Sequence, residues 1–156
     1  MFFTLERFIL IIVWVVSITA LFLVPNRCKR EAHAIFLFQQ FLTWILGLIV
    51  VQNGWIDYPI REFRQNATSF TFEFLAYPTV AAYLNIFYPG KKKSWIQFVY
   101  MTAYPAGITV TELCIEKSTQ LIDYISWNWY WTFLSTWATL YLSRGFHVWF
   151  FRKSTR

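Results

Sequence analysis

The stretch FTFEFLAYPTV, residues 70–80, decides how this chain folds. It is apolar enough for a membrane helix, yet it carries a carboxylate at Glu73 and a proline at Pro78. A second stretch, TAYPAGITVTEL at residues 102–113, repeats the Ala-Tyr-Pro triplet and also carries a glutamate, Glu112. A charge and a helix breaker are both costly inside a bilayer, so these two stretches need a structural explanation.

The composition around these stretches is that of a membrane protein. Of the 156 residues, 57% are hydrophobic and 22% aromatic, which is too much for an ordinary soluble domain. A bilayer core about 30 Å thick needs roughly 20 apolar residues in a helix. Five apolar blocks come near this length: Phe3–Val24, Ala34–Val51, Phe70–Phe87, Trp95–Ile115 and Trp127–Ser143. We therefore predict an all-α fold, a single membrane-embedded domain over residues 1–156 with five transmembrane helices.

The basic residues predict the orientation, because positive charge in short loops stays cytoplasmic. With five spans, one side of the membrane carries ten Lys and Arg residues and the other side four, which together account for all fourteen. The richer side holds the first and third connections and the C-terminal tail, so we expect the N-terminus outside and the C-terminus in the cytoplasm. The first block has no clearly basic start and no small-x-small cleavage site, so we expect a retained helix rather than a signal peptide.

The charge pattern also limits the partners. We assign the net charge of +6 to a basic cytoplasmic face that contacts anionic lipid headgroups. No aromatic-basic platform lies outside the apolar blocks, so we expect no nucleic-acid partner. Two cysteines and two histidines lie scattered without metal-ligand spacing, so we predict no metal and no cofactor. No nucleophile has a recognisable base nearby, which argues against an enzyme.

The predicted topology places the two Ala-Tyr-Pro triplets at the same depth. Pro78 lies ten residues before the turn YPGKKKS at 88–94, and Pro105 lies eleven residues after it. At about 1.5 Å per residue, both prolines are about 15 Å from the cytoplasmic boundary. Each proline removes a backbone donor, so we predict distorted helices in which the freed carbonyls of Phe74 and Met101 need another partner.

Small residues at four-residue spacing, Ala103, Gly107 and Thr111, form a ridge on the fourth predicted helix. Such ridges let two helices approach closely, so we expect this ridge to pack against the third helix. That hairpin would bring Glu73 and Glu112 near each other in the outer half of the bilayer.

Three interpretations of the paired glutamates follow. The first is an outward-facing, acid-lined pocket for a cation, an amine or a proton, with the candidate ligand-binding residues Glu73, Glu112, Tyr77 and Thr109. The second is structural: both acids reach the interface or hydrogen-bond to hydroxyl and backbone groups, and so lock the bundle. The third gives the acids a catalytic role.

Other polar residues predict contacts rather than sites. We expect Gln39 and Gln40, inside the second predicted helix, to bond to a neighbouring helix. GWIDYPIREF, residues 54–63, alternates aromatic and charged residues, and we expect it to lie along the outer membrane surface. His33 and His147 are expected to be solvated at the cytoplasmic interface.

Four motifs in the second half of the chain are typical of a known kind of membrane protein. They are FEFLAYP at 72–78, FYPGKKK at 87–93, the glutamate-bearing fourth helix through Glu112, and LIDYISWNWYWTFLS at 121–135. Over residues 70–151 the chain thus resembles a family of small, functionally uncharacterised polytopic membrane proteins of spore-forming bacteria. The resemblance implies a bacterial plasma-membrane location and four or five helices, and it implies no reaction.

We therefore predict a multi-pass protein of the bacterial cell membrane without enzymatic activity, a structural or interaction component that assembles with itself or with another membrane protein. The alternative is a small cation- or proton-coupled permease or sensor that uses the acidic pocket.

Overall fold

The structure, a computed structural model, describes residues 4–63 and 65–152 and is predominantly helical there. In chain order its elements are α1 (Leu5–Leu23), a 3₁₀ turn (Asn26–Cys28), α2 (Lys29–Gln52), β1 (Ile56–Asp57), a π-helix (Thr71–Ala76), α3 (Tyr77–Ile86), α4 (Ser94–Ser118), β2 (Asp123–Tyr124) and α5 (Trp129–Phe151). The predicted helical fold is confirmed, with one two-stranded sheet added to it.

Within the described residues, three helical stretches are long and apolar enough to cross a membrane: Leu5–Leu23, Asn26–Gln52 and Ser94–Ser118. Many of their large apolar side chains are exposed, and Phe22 on α1 reaches 79% exposure. A contiguous apolar surface of this kind is stable against lipid rather than against water. Five crossings and their orientation stay predictions.

Three of the described helices, α2, α4 and α5, extend beyond the apolar blocks that predict them. α2 begins at Lys29 rather than at Ala34, and α5 continues to Phe151 rather than ending at Ser143. An apolar block marks the thickness of the hydrocarbon, whereas a helix continues for as long as its backbone bonds are made. The predicted start of the first helix, Phe3, lies outside the described residues.

The predicted close hairpin of the third and fourth helices is not the main packing contact. α3 packs chiefly against α2, and α4 packs chiefly against α5. Ala81 and Leu84 of α3 are fully buried, in a core cluster that also contains Ile35, Met101 and Leu140 from α2, α4 and α5. α3 is therefore the central element, and α4 reaches it mainly through side chains.

Two loops close one end of the bundle, and we call residues 53–58 and 119–128 the cap. β1 pairs with β2 in antiparallel fashion, with Ile56 opposite Tyr124 and Asp57 opposite Asp123. Ile56 and Tyr58 are buried and so pack against protein, whereas Trp55 and Phe63 are exposed; that residues 54–63 lie along the membrane surface stays a prediction. Backbone pairing with a distant loop turns the two buried side chains inward, which the composition of the stretch does not reveal.

The π-helix lies directly before Pro78, as a proline inside an apolar helix would require. The backbone N–H of Tyr77 bonds to the carbonyl of Phe72, five residues back. Pro78 has no N–H. The carbonyls of Glu73 and Phe74, five and four residues before it, therefore lose the donor that residue 78 would supply in either helical register.

Side chains of α2 supply both missing donors. Gln40 Nε2 donates to the carbonyl of Phe74 at 3.1 Å, and the Thr43 hydroxyl donates to the carbonyl of Glu73 at 2.8 Å. This confirms the prediction that the freed carbonyl of Phe74 takes another hydrogen-bond partner, and the prediction that Gln40 bonds to a neighbouring helix. α2 and the π-helix are thus joined by side-chain-to-backbone hydrogen bonds as well as by packing.

Pro105 has a milder effect than predicted. α4 continues as an α-helix on both sides of it, from Ser94 to Ser118. The side chain of Pro105 is fully buried, on the same stripe as Met101, Thr109 and Glu112. This stripe, and not the small-residue ridge, is the inner face of α4.

Candidate functional site

A cavity of about 220 Å³ lies between the helices beneath the cap. Its walls come from α2, α4, α5, the π-helix and the first residue of α3, and both predicted glutamates line it, together with Tyr77. Most of the remaining wall is aliphatic or aromatic, including Trp55 and Trp127 of the cap. The structure therefore brings three of the four predicted ligand-binding residues to one cavity, whose wall also carries the hydroxyls of Thr43, Thr132, Ser135, Thr136 and Thr139.

Glu112 is held by three hydroxyl groups. Its Oε2 accepts a hydrogen bond from the Tyr77 hydroxyl at 2.6 Å. Its Oε1 accepts one from Tyr124 at 2.6 Å and one from Thr132 at 3.1 Å. Glu112 is only 8% exposed, so these donors replace the water that a carboxylate would otherwise need.

The donors to Glu112 are themselves connected. The Trp127 indole N–H donates to the Thr132 hydroxyl at 2.9 Å, and that hydroxyl lies 2.7 Å from the Tyr124 hydroxyl. Burial raises the pKa of Tyr124, and the charge of Glu112 raises it further, so this hydroxyl keeps its proton and remains a donor. The cap thereby fixes the acid through a chain of hydrogen bonds.

Glu73 has the opposite environment. It is 3% exposed, and in the part of the chain that the structure describes its Oε2 has no hydrogen-bond partner. Its carboxyl group lies directly against Gly47 of α2, where an added Cβ would overlap it. Gly47 therefore makes the space that the carboxyl occupies.

A second bare acceptor lines the same cavity. Gln39 is 1% exposed, and its Oε1 lacks a partner within residues 4–63 and 65–152. An unpaired buried acceptor is costly in a low-dielectric interior, and each such group calls for an explanation. The cavity thus combines one satisfied carboxylate, at Glu112, with two unsatisfied oxygens.

The remaining predicted residues lie elsewhere. Thr109 is buried but is not part of the cavity wall; its hydroxyl donates to the carbonyl of Pro105 at 2.8 Å. The ridge of Ala103, Gly107 and Thr111 is exposed, and a Cβ added to Gly107 would meet nothing within 4 Å. The ridge therefore does not pack against the third helix within this chain.

Sequence reasoning missed Gly47 and the cap residues Tyr124 and Trp127. A lone glycine inside an apolar helical block indicates that another group approaches closely, so a close contact at Gly47 was predictable from the sequence. Tyr124 and Trp127 gave no local signal, because their role depends on the pairing of two loops.

A second polar cluster joins the opposite end of the bundle. His147 Nε2 lies 2.9 Å from Glu31 Oε2, and Arg144 Nη1 lies 2.9 Å from His147 Nδ1. The guanidinium can only donate, so Nδ1 accepts and Nε2 carries the proton toward Glu31. Arg144 also stacks over the ring of Tyr88 at 3.9 Å. The His147 side chain is only 14% exposed, so the expectation of a solvated histidine is wrong, whereas His33 is exposed.

Among the described residues, no group of three or more His, Cys, Asp or Glu side chains is arranged to hold a metal ion. Comparison of the chain with known protein families, with curated proteins and with solved structures finds no match. The resemblance to a family of small membrane proteins of spore-forming bacteria stays a prediction.

Proposed function

We propose that this chain is a multi-pass protein of a bacterial cell membrane that binds a small cation in the cavity between Glu73 and Glu112, as a permease or a sensor without enzymatic activity. The observation that carries the proposal is the pair of bare acceptors, Glu73 Oε2 and Gln39 Oε1, in the wall of one cavity.

A purely structural role for both acids fits this observation less well. Glu112 behaves as a structural carboxylate would, since three hydroxyls satisfy it. Glu73 does not, because its Oε2 is buried without a hydrogen-bond partner among the described residues, although Glu73 lines the cavity. Intramembrane carboxylates that face a cavity mark ligand and ion pathways.

We further propose five crossings with the N-terminus outside. The ten-to-four distribution of basic residues supports this orientation. The contact of Glu31 with His147 supports the number of crossings, because it puts the start of α2 and the end of α5 on one side. With cysteines introduced in a chain free of Cys28 and Cys114, Gln120→Cys should label with an impermeant maleimide in intact cells and Lys92→Cys should not. The reverse pattern would invert the orientation.

The binding proposal is tested by melting temperature in lipid nanodiscs, with inorganic and organic cations at constant ionic strength. A ligand that binds only the folded state raises the melting temperature by mass action. We expect at least one cation to stabilise the wild type and not the variant Glu73→Gln/Glu112→Gln. Glu116→Gln is the matched control, because Glu116 is also on α4 but outside the cavity wall. If no cation stabilises the wild type, the proposal is wrong.

Permease and sensor are then separated in proteoliposomes. Counterflow of the labelled stabilising cation identifies a permease, and binding without counterflow identifies a sensor.

A second candidate function is assembly with another copy or another membrane protein. The exposed ridge of Ala103, Gly107 and Thr111 favours it, since small residues on a lipid-exposed helix face allow close helix contact. Disulfide crosslinking of Gly107→Cys in native membranes tests this candidate, with Val110→Cys on the same helix as the control.

A further inference from the structure

We infer that the ligand of this cavity is an organic ammonium ion with an apolar body, whose N–H groups bond to Glu73 and Gln39. The inference rests on the proposed function and specifies its ligand.

The two bare groups are acceptors, so the ligand must bring donors. Glu73 Oε2 and Gln39 Oε1 are both deeply buried and both lack a partner among the described residues. An ammonium group offers up to three N–H donors and one positive charge, enough to satisfy both oxygens and to neutralise a carboxylate. A neutral alcohol offers one donor and no charge.

Glu112 does not compete for those donors. Tyr77 and Tyr124 already donate to its two oxygens, each at 2.6 Å. When ionised, Glu112 adds to the negative potential of the cavity, since both acids line the same wall. Direct contact is thereby assigned to Glu73, and Glu112 acts at a distance.

The oxygen supply argues against a bare metal ion. Ca²⁺ takes about six to eight oxygen ligands. Unwound helix carbonyls can coordinate Na⁺ in transporters, but the carbonyls that Pro78 frees here are already bonded to Gln40 and Thr43. Most other oxygens of the wall, on Thr43, Glu112, Thr132, Ser135 and Thr139, already take part in hydrogen bonds within the chain, which leaves few of them free to bind an inorganic ion.

The wall favours a ligand with an apolar body. Leu46, Ile49 and Trp55 line the cavity and are each more than a third exposed, so the accessible side of the cavity is apolar. Trp55 and Trp127 are stacked with ring centroids 5.9 Å apart, which supplies aromatic surface for a cation or a ring. A cavity of about 150 Å³ holds benzene, so about 220 Å³ holds roughly nine non-hydrogen atoms.

2-Phenylethylamine has this size and chemistry and is the probe, with 2-phenylethanol as its neutral isostere. The full chain is placed in nanodiscs of phosphatidylcholine and phosphatidylglycerol, which contain no primary amine. Melting temperature is then measured against the amine, the alcohol, Na⁺, K⁺ and Ca²⁺. We expect the amine alone to raise the melting temperature.

Variants test the assigned contacts. Loss of a hydrogen bond to a charged group weakens binding roughly 10- to 100-fold, and we expect this for Glu73→Gln. Gln39→Leu should also weaken binding, roughly 10-fold, because it removes a bond from the charged ammonium. Gly47→Ala displaces the Glu73 carboxyl without removing it and should also weaken binding, so the test survives if Glu73→Gln fails to fold. Glu116→Gln should bind as the wild type does.

The outcomes separate the two proposals. Stabilisation by an inorganic cation that depends on Glu73, with none by the amine, overturns this inference and leaves cation binding in place. Amine binding that is unchanged in Glu73→Gln and Gln39→Leu overturns the assigned site. No stabilisation by any cation overturns both proposals. If phosphatidylethanolamine added to the nanodisc raises the melting temperature and reduces amine binding, the inference is supported and a lipid headgroup is the source of the ammonium.

Discussion

The two Ala-Tyr-Pro triplets are identical in sequence and differ in almost every structural respect. At the first, residues 76–78, the alanine is the last residue of the π-helix Thr71–Ala76, and side chains of α2 bond to the carbonyls that Pro78 frees. At the second, residues 103–105, α4 stays α-helical, and Ala103 is exposed. Neighbouring helices, and not the triplet itself, therefore decide what a proline does inside an apolar helix.

The tyrosines of the two triplets differ in the same way. Tyr77 donates to a buried carboxylate, that of Glu112, and so reaches across the bundle. Tyr104 meets the hydroxyl of Tyr100, one turn earlier on its own helix, at 3.0 Å. One triplet thus connects helices, and the other remains local.

The largest effect is expected from removing both side chains that bond to the freed carbonyls. Gln40→Leu/Thr43→Val leaves the carbonyls of Phe74 and Glu73 without these partners in an apolar interior. Each unsatisfied buried acceptor costs about 1–3 kcal/mol, so for two of them we expect the free energy of unfolding to fall by about 2–6 kcal/mol. SDS titration in mixed micelles measures it. Thr111→Val removes an exposed hydroxyl of α4 and is the control, expected within about 0.5 kcal/mol of the wild type.

The next effect separates the two tyrosines. Tyr77→Phe removes a donor to the buried carboxylate of Glu112, and hydrogen bonds to charged groups contribute about 1.5–3 kcal/mol. Tyr104→Phe removes a contact between two neutral hydroxyls and should cost about 1 kcal/mol or less. The same titration measures both variants. Equal losses in the free energy of unfolding would mean that the bond between Tyr77 and Glu112 contributes no more than the contact between Tyr104 and Tyr100.

A smaller effect concerns the proline itself. Pro78→Ala restores a backbone N–H that can bond to the carbonyl of Phe74, so the loss of Gln40 should then matter less. In a double-mutant cycle of Pro78→Ala with Gln40→Leu, we expect a coupling of about 1 kcal/mol. Additivity of the two changes would show that the bond from Gln40 is unrelated to the proline.

The smallest effect distinguishes the two helix glycines near these features. Gly107→Ala adds a methyl group to open space and gains helix propensity, so it should stabilise by about 0.5–1 kcal/mol. Gly47→Ala gains the same propensity but overlaps the Glu73 carboxyl, so its net change should be zero or destabilising. A stabilising Gly47→Ala would show that the carboxyl moves aside freely.

Much of the bundle is predictable because lipid and backbone chemistry act locally. Apolar length indicates where membrane-compatible helices lie, and the missing donor of Pro78 predicts that Phe74 needs a partner. The meeting of Glu73 and Glu112 at one cavity also agrees with their predicted depth, although α3 and α4 are not the closely packed hairpin that was expected.

The buried face of α4 and the pairing of the cap loops are not determined by residue type. In α4 the stripe through Met101, Pro105 and Glu112 is buried, and the ridge through Gly107 is exposed. Both faces are compatible with lipid or with a neighbour, because lipid tails are as apolar as most side chains and give little contrast between faces. The cap depends on pairing between Ile56 and Tyr124, residues far apart in the chain.

That pairing constrains the topology of the whole chain by simple parity. β1 and β2 hydrogen-bond to each other, so both ends of the intervening segment lie on one side of any membrane. A path that leaves a side and returns to it has crossed an even number of times. The two helical segments between the strands are the π-helix with α3, and α4. Either both of them cross the membrane or neither does. A chain with only one of them inserted would have its two strands on opposite sides of the bilayer, where they could not pair.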